Sequence, residues 1–189
     1  MNSLHPLGVI HGRFQVLHNE HLEYLLAGKR RCEHLVVGIT NPDPELTRRD
    51  AADNARAEPS SNPLTYFERY LLVRRVLEQN GTTPDRYSVV PFPVNLPHLY
   101  GHYVPLKACF FLTIYDDWGR KKLETFRSLD LQTEVLWEGT PQTKGISGSR
   151  VRERMMRGEP WDHLVPSSCS ELMLEWAIPQ RLCRLAGEA

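Results

Sequence analysis

Two histidines three residues apart, His18 and His21, follow a glycine and an arginine in Gly12-Arg-Phe-Gln-Val-Leu-His18-Asn-Glu-His21. The segment falls where an apolar run, residues 7–12, gives way to Leu22, Leu25 and Leu26 at helical spacing. A strand-to-helix junction offers unpaired backbone N–H groups and a partial positive charge, which suit a phosphate. Residues three apart share a helix face, so both imidazoles can meet one anion. Gly12 permits close backbone approach, and Arg13 adds a two-pronged cation. A single histidine there reads most simply as a cap or a core residue. Two of them, with Gly-Arg before them, favour phosphate chemistry.

A second anion-ready segment stands far downstream, Gly145-Ile-Ser147-Gly-Ser149-Arg-Val-Arg152-Glu-Arg154. Ser147 and Ser149 can cap a helix start, and Gly148 allows a tight turn. Arginines in a first turn oppose the helix dipole unless an anion sits nearby. A solvated basic helix face is the plain alternative.

The elements that must position these residues alternate. Apolar runs at 7–12, 34–40, 87–92, 108–115 and 132–137 read as strands. Helical spacing covers 19–31, 65–80, 118–128, 149–157 and 170–185, the last with a potential break at Pro179. Strands alternating with helices predict an α/β fold: a Rossmann-like, doubly wound parallel sheet with a short C-terminal helical region, 149–189. Ligands bind such sheets at the carboxyl ends of the strands, where strand order reverses. Residues 41–62, holding Pro42, Pro44 and Pro59, read as a lid-like loop.

The chain of 189 residues fits one domain. Lys+Arg and Asp+Glu are 23 each, a zero net charge that argues against a general polyanion binder such as a nucleic-acid protein. The four cysteines, Cys32, Cys109, Cys169 and Cys183, are scattered with no CxxC pair, as expected of reduced thiols in a cytoplasm. Neither a membrane span nor a signal peptide is read.

The two segments together resemble the nucleotidylyltransferase superfamily, with its HxGH motif after the first strand and an ISxTxxR-type motif near the end. Within it the chain is most similar to archaeal-type nicotinamide-nucleotide adenylyltransferases. Asn62-Pro-Leu-Thr65-x-x-Glu68-Arg69 resembles that group's NPFTxxER helix start, and Gly158-Glu-Pro-Trp161-x-x-Leu-Val-Pro166 its C-terminal stretch. The resemblance implies in-line attack by an acceptor phosphate oxygen on the α-phosphorus of a nucleoside triphosphate, with loss of pyrophosphate. It implies that the catalytic residues His18, His21 and Arg152 meet the triphosphate. Gly12, Arg13, Phe14, Gln15, Ser147, Gly148 and Ser149 would bind nucleotide, and Arg69 and Asn62 would lie on the substrate side. Mg²⁺ would be held through phosphate oxygens and water, with no protein ligand set.

Two departures bear on substrate. Glu20 stands where the motif has Gly, which could change the base that is read. The archaeal-type group carries Asn and Trp in the loop after the third strand to receive a pyridine ring; this loop, residues 93–103, has no Trp. Tyr100 or Tyr103 could stack on a ring there, and His98 or His102 could meet an acidic group. Asp116 and Asp117 read slightly better as helix caps than as metal or ribose ligands. Trp137, Trp161 and Trp176 read as packing aromatics.

The leading expectation is a cytoplasmic enzyme moving AMP from ATP to nicotinamide or nicotinate mononucleotide, in NAD biosynthesis. The alternative keeps the chemistry and moves AMP or CMP to another small phosphate or phosphonate. A nucleotide-binding regulator without turnover is a third reading. Assembly into a homo-oligomer is left open.

Overall fold

The computed structural model describes residues 3–43, 58–140, 142–143 and 145–187. Five strands form its sheet: β1 (His5–Gly12), β2 (Cys32–Thr40), β3 (Tyr87–Phe92), β4 (Cys109–Ile114) and β5 (Thr133–Glu138). Six α-helices accompany them: α1 (Asn19–Lys29), α2 (Tyr66–Gln79), α3 (Asp117–Ser128), α4 (Gly148–Met156), α5 (Ser167–Glu175) and α6 (Ile178–Gly187). All strand pairings are parallel, in the order β3-β2-β1-β4-β5. The expected Rossmann-like doubly wound sheet is what the chain builds. Strand order reverses between β1 and β4, so the carboxyl ends of these two strands open the crevice where ligands belong.

Neighbouring residues along each strand explain why the runs are apolar throughout. Ile10, Leu35, Val37 and Phe111 enter one core with Leu25 of α1, Leu72 of α2, Val151 of α4 and Leu182 of α6. Their neighbours Val9, Val36 and Phe110 enter a second core with Phe92, Tyr100 and Phe126 of α3. Successive side chains point to opposite faces, so a strand covered on both sides shows no polar alternation.

The capping box of α2 is realised as its sequence suggests. Thr65 Oγ1 accepts from Glu68 N at 3.2 Å, and Glu68 accepts from Thr65 N at 2.8 Å. The same carboxylate receives both guanidinium nitrogens of Arg181 at 2.8 Å, which ties α6 to the start of α2.

The helix expected over 170–185 is two helices. The break falls at Trp176 and Ala177, where Ala177 has φ 52, and Pro179 sits in the first turn of α6. Proline is compatible with a first turn, so it follows the break rather than making it. Most of the lid-like loop, residues 44–57, lies outside the described residues. Its end is a 3₁₀ turn, Pro59–Ser61. Cys32, Cys109 and Cys169 are buried and Cys183 is exposed, all as free thiols. Among the described residues no helix is long and apolar enough to cross a membrane.

Candidate active site

A cleft of about 340 Å³ opens at the carboxyl ends of β1 and β4. Its floor is the turn from β1 into α1, and its far wall is the start of α4. The two segments that spacing alone marked for phosphate therefore meet, although more than a hundred residues separate them.

Their meeting depends on Gly148. A Cβ there would stand 2.6 Å from the backbone oxygen of Gln15 and 3.1 Å from Val16 N. Only glycine lets the α4 N-terminus come that close to the β1–α1 turn. Ser147 caps α4 by accepting from Arg150 N at 3.2 Å. Arg152, buried at 7% exposure, donates to Gln15 O and, at 3.2 Å, to Ser149 Oγ. Burial lowers the pKa of its guanidinium. Two helix N-termini and an arginine thus border one cleft, which favours a multiply charged anion.

The histidines stack, with ring centroids 3.7 Å apart and planes 26° from parallel. His18 N donates to His21 Nδ1 over a long 3.4 Å. An accepting Nδ1 leaves Nε2 of a neutral His21 to carry the proton and to donate outward. Phe14 stands edge-on to His21 at 5.1 Å and is fully buried, so it supports the histidine. Gln15 likewise acts on protein: its carboxamide pairs with both N and O of Leu64, at 2.9 and 2.8 Å. Both residues also line the cleft, as their expected place beside the nucleotide requires, and these contacts add a supporting role.

Arg13 lines the cleft and donates to Ser61 O at 3.0 Å and Asn62 Oδ1 at 2.9 Å. Asn62 holds Arg13 and does not itself line the cleft. Arg69, expected to face phosphate, is 2% exposed and bonds to backbone oxygens of Arg13, Thr40, Asn41 and Thr65 at 2.8–3.3 Å. Burial first, then the nearby Arg13 charge, lowers its pKa to about 10. It staples three chain segments behind the site. Tyr100, expected to stack on a substrate ring, is 2% exposed between Phe92 and Phe126 and donates to Val94 O at 2.6 Å. An aromatic in a loop with no helical or strand pattern gave no sign of which way it would turn.

The cleft holds residues that spacing did not reveal. His11 is 4% exposed, and burial, followed by the charge of Lys122, lowers its pKa well below the ordinary histidine value. Lys122 Nζ lies 3.2 Å from His11 Nε2 and 4.1 Å over the Trp118 ring. The spacing of Trp118 and Lys122, one helical turn, was the available signal. Asp116 caps α3 by accepting from Gly119 N at 2.8 Å, as the cap reading expected, and also borders the cleft. Trp137, read as a packing residue, faces the cleft, and its Nε1 donates to Tyr115 Oη at 2.6 Å. A bulge after Leu112 sets Trp137 opposite Thr113, and an extra residue of this kind re-aims a side chain.

The sequence profile of the cytidylyltransferase-like family matches residues 9–154, which contain every element of this cleft. The chain belongs to that family. Its members are nucleotidyltransferases, and this enzyme is one of them. It is 50% identical over 175 residues to a phosphonoformate cytidylyltransferase of Streptomyces viridochromogenes, covering 93% of this chain and 94% of that protein. It is 28% identical over 180 residues to a nicotinamide-nucleotide adenylyltransferase of Thermococcus kodakarensis, covering 95% and 88%. The resemblance to the archaeal-type group therefore holds, at a greater distance than the likeness to the cytidylyltransferase. A solved bifunctional NMN adenylyltransferase/ADP ribose pyrophosphatase of Francisella tularensis has the same fold, with a TM-score of 0.66 at 13% identity. It is matched over 96% of this chain, which spans about half (53%) of that longer protein.

Proposed function

We propose that the enzyme transfers CMP from CTP to a small phosphonate or phosphate acceptor, with phosphonoformate as the first candidate. The observation that carries this reading is the closed loop after β3. Tyr100 is sealed in the core there, and neither tyrosine of that loop lines the cleft. An acceptor without a ring needs no platform. The 50% identical relative that acts on phosphonoformate supports the same choice. This favours the alternative given above, CMP transfer to a small phosphonate, over the transfer of AMP to a mononucleotide.

The chemistry is a single displacement. A phosphonate oxygen of the acceptor attacks the α-phosphorus of CTP in line. The new P–O bond forms as the bond to the bridging oxygen breaks, and pyrophosphate leaves with that electron pair. Catalysis is positioning and charge stabilisation. His18 and His21 meet the phosphates at the start of α1, and Arg152, Ser147 and Ser149 hold the departing end at α4. Lys122, oriented by His11 and Trp118, receives the acceptor's second anionic group, a carboxylate in phosphonoformate.

Mg²⁺ fits this cleft as a companion of the triphosphate. Among the described residues only Asp116 and Glu20 bring carboxylates to it, and each already accepts a backbone N–H. The ion would sit on phosphate oxygens and water, and it would neutralise their charge. A matrix of CTP, ATP, UTP and GTP against phosphonoformate, phosphonoacetate and nicotinamide mononucleotide, read by pyrophosphate release, tests the reading. It predicts turnover with CTP and the small acceptors, and brisk turnover of ATP with the mononucleotide alone contradicts it.

A further inference from the structure

We propose that Glu20 reads the base of the nucleoside triphosphate and selects cytosine. This rests on the nucleotidyl-transfer reading of the same cleft and deepens it. Glu20 lies in the first turn of α1, beside the phosphate-facing histidines, and lines the cleft. A carboxylate there repels a triphosphate, so its place needs another partner.

The side chain does not point away into solvent. Its Oε1 accepts from the backbone N of Ile146 at 2.7 Å, across 126 residues of sequence. A Cβ at Gly145 would overlap that same oxygen, so the loop before α4 is shaped to receive the carboxylate. The bond fixes where the second oxygen, Oε2, stands, and Oε2 has no hydrogen-bond partner among the described residues. Glu20 also belongs to no group of three metal-ligating side chains among them.

The cleft supplies what a base needs. Tyr24, Tyr115 and Trp137 line it with aromatic surface, and the Trp137–Tyr115 hydrogen bond holds the indole in place. Flat rings of this kind stack on a base. Lys122 and Arg152 mark the anion-binding parts, which leaves the aromatic part for the nucleoside; of the two carboxylates at the cleft, that of Asp116 caps α3 and that of Glu20 lies one helical turn from Tyr24.

A fixed carboxylate oxygen accepts and cannot donate. The exocyclic 4-amino group of cytosine donates to it, as in carboxylate recognition of cytosine elsewhere. Uracil and guanine present carbonyl oxygens at the corresponding edge and are repelled. Adenine has an amino group but a larger ring system, and the Glu20 side chain fills part of the space between α1 and residues 145–147. Polarity thus rejects the keto bases, and bulk rejects adenine.

The test is the ratio of kcat/KM between nucleotides, taken within one preparation so that the folded fraction cancels. In Glu20→Gln an amide can offer N–H to uracil, so the UTP:CTP ratio should rise by about 10- to 100-fold over wild type. In Glu20→Gly the freed space should raise the ATP:CTP ratio by at least about tenfold. A role confined to tethering α1 to residues 145–147 lowers all nucleotides together and moves neither ratio. Ratios within threefold of wild type in both variants overturn the proposal. A wild-type enzyme that prefers ATP overturns instead the donor reading on which it rests, before any variant is compared.

Discussion

Lys122 Nζ lies 3.2 Å from Nε2 of His11, and the imidazole that receives it is nine-tenths buried. An accepting Nε2 fixes the imidazole as neutral, with its proton on Nδ1. Lys122 is held at the cleft by this contact, where a lysine ammonium has an uncharged imidazole beside it. A carboxylate in place of His11 would cancel that charge. The contact places the lysine ammonium at the cleft, where a compact acceptor with two acidic groups can meet it.

Removing that cation should therefore weaken the acceptor and spare the nucleotide. Lys122→Met is expected to raise KM for phosphonoformate by about 10- to 100-fold, with KM for CTP changed less than threefold. Steady-state kinetics with each substrate varied in turn measures both. An equal rise in the two constants contradicts the assignment of Lys122 to the acceptor.

His21→Ala should lower kcat by about 10²- to 10³-fold, the usual effect of deleting one donor to developing charge. Nucleotide binding, followed by calorimetry, should persist. Turnover within threefold of wild type would sink the catalytic role of His21.

Arg69→Met separates structure from chemistry. The guanidinium bonds to four backbone oxygens and touches none of the cleft, so its loss should destabilise the fold by about 3 kcal/mol. At this chain length that corresponds to a fall of roughly 6–12 °C in Tm. The fraction that stays folded at low temperature should keep kcat within about threefold. A normal Tm with a large loss of kcat would restore Arg69 to the phosphates.

The depressed pKa of His11 carries a pH signature. Folded His11 stays neutral where the unfolded residue protonates, so the unfolded chain binds more protons below pH ~6.5. Stability from this group is complete above that pH and is lost as pH falls towards the lower folded value. His11→Leu should flatten the decline of urea midpoint between pH 7 and 5. A variant that declines as steeply as wild type contradicts it.

Much of this was legible in the sequence, and the limits have physical reasons. Strand and helix order followed from apolar runs and helical spacing, because both faces of the sheet are covered. The starts of β1 and β2 lie two residues earlier than the apolar runs, since His5 and Cys32 pair with each other as residues of ordinary strand type. His18, His21, Ser147 and Arg152 were found because chemistry and capping coincide at helix starts. Arg69 and Tyr100 were misplaced for the opposite reason: a cation and an aromatic can each be satisfied inside the protein, by carbonyls or by rings. His11 lies on β1 and Lys122 on α3, and only their folding together reveals a pair. The substrate stayed open longest. It depends on how one loop closes and where one carboxylate points, and neither leaves a periodic trace.

The most direct measurement offers the purified enzyme equimolar CTP and ATP together with equimolar phosphonoformate and nicotinamide mononucleotide, and identifies the products by mass spectrometry. The proposed function predicts the mixed anhydride of CMP and phosphonoformate, joined through P–O–P, as the dominant product. Dominant formation of the adenine dinucleotide from ATP and the mononucleotide contradicts it.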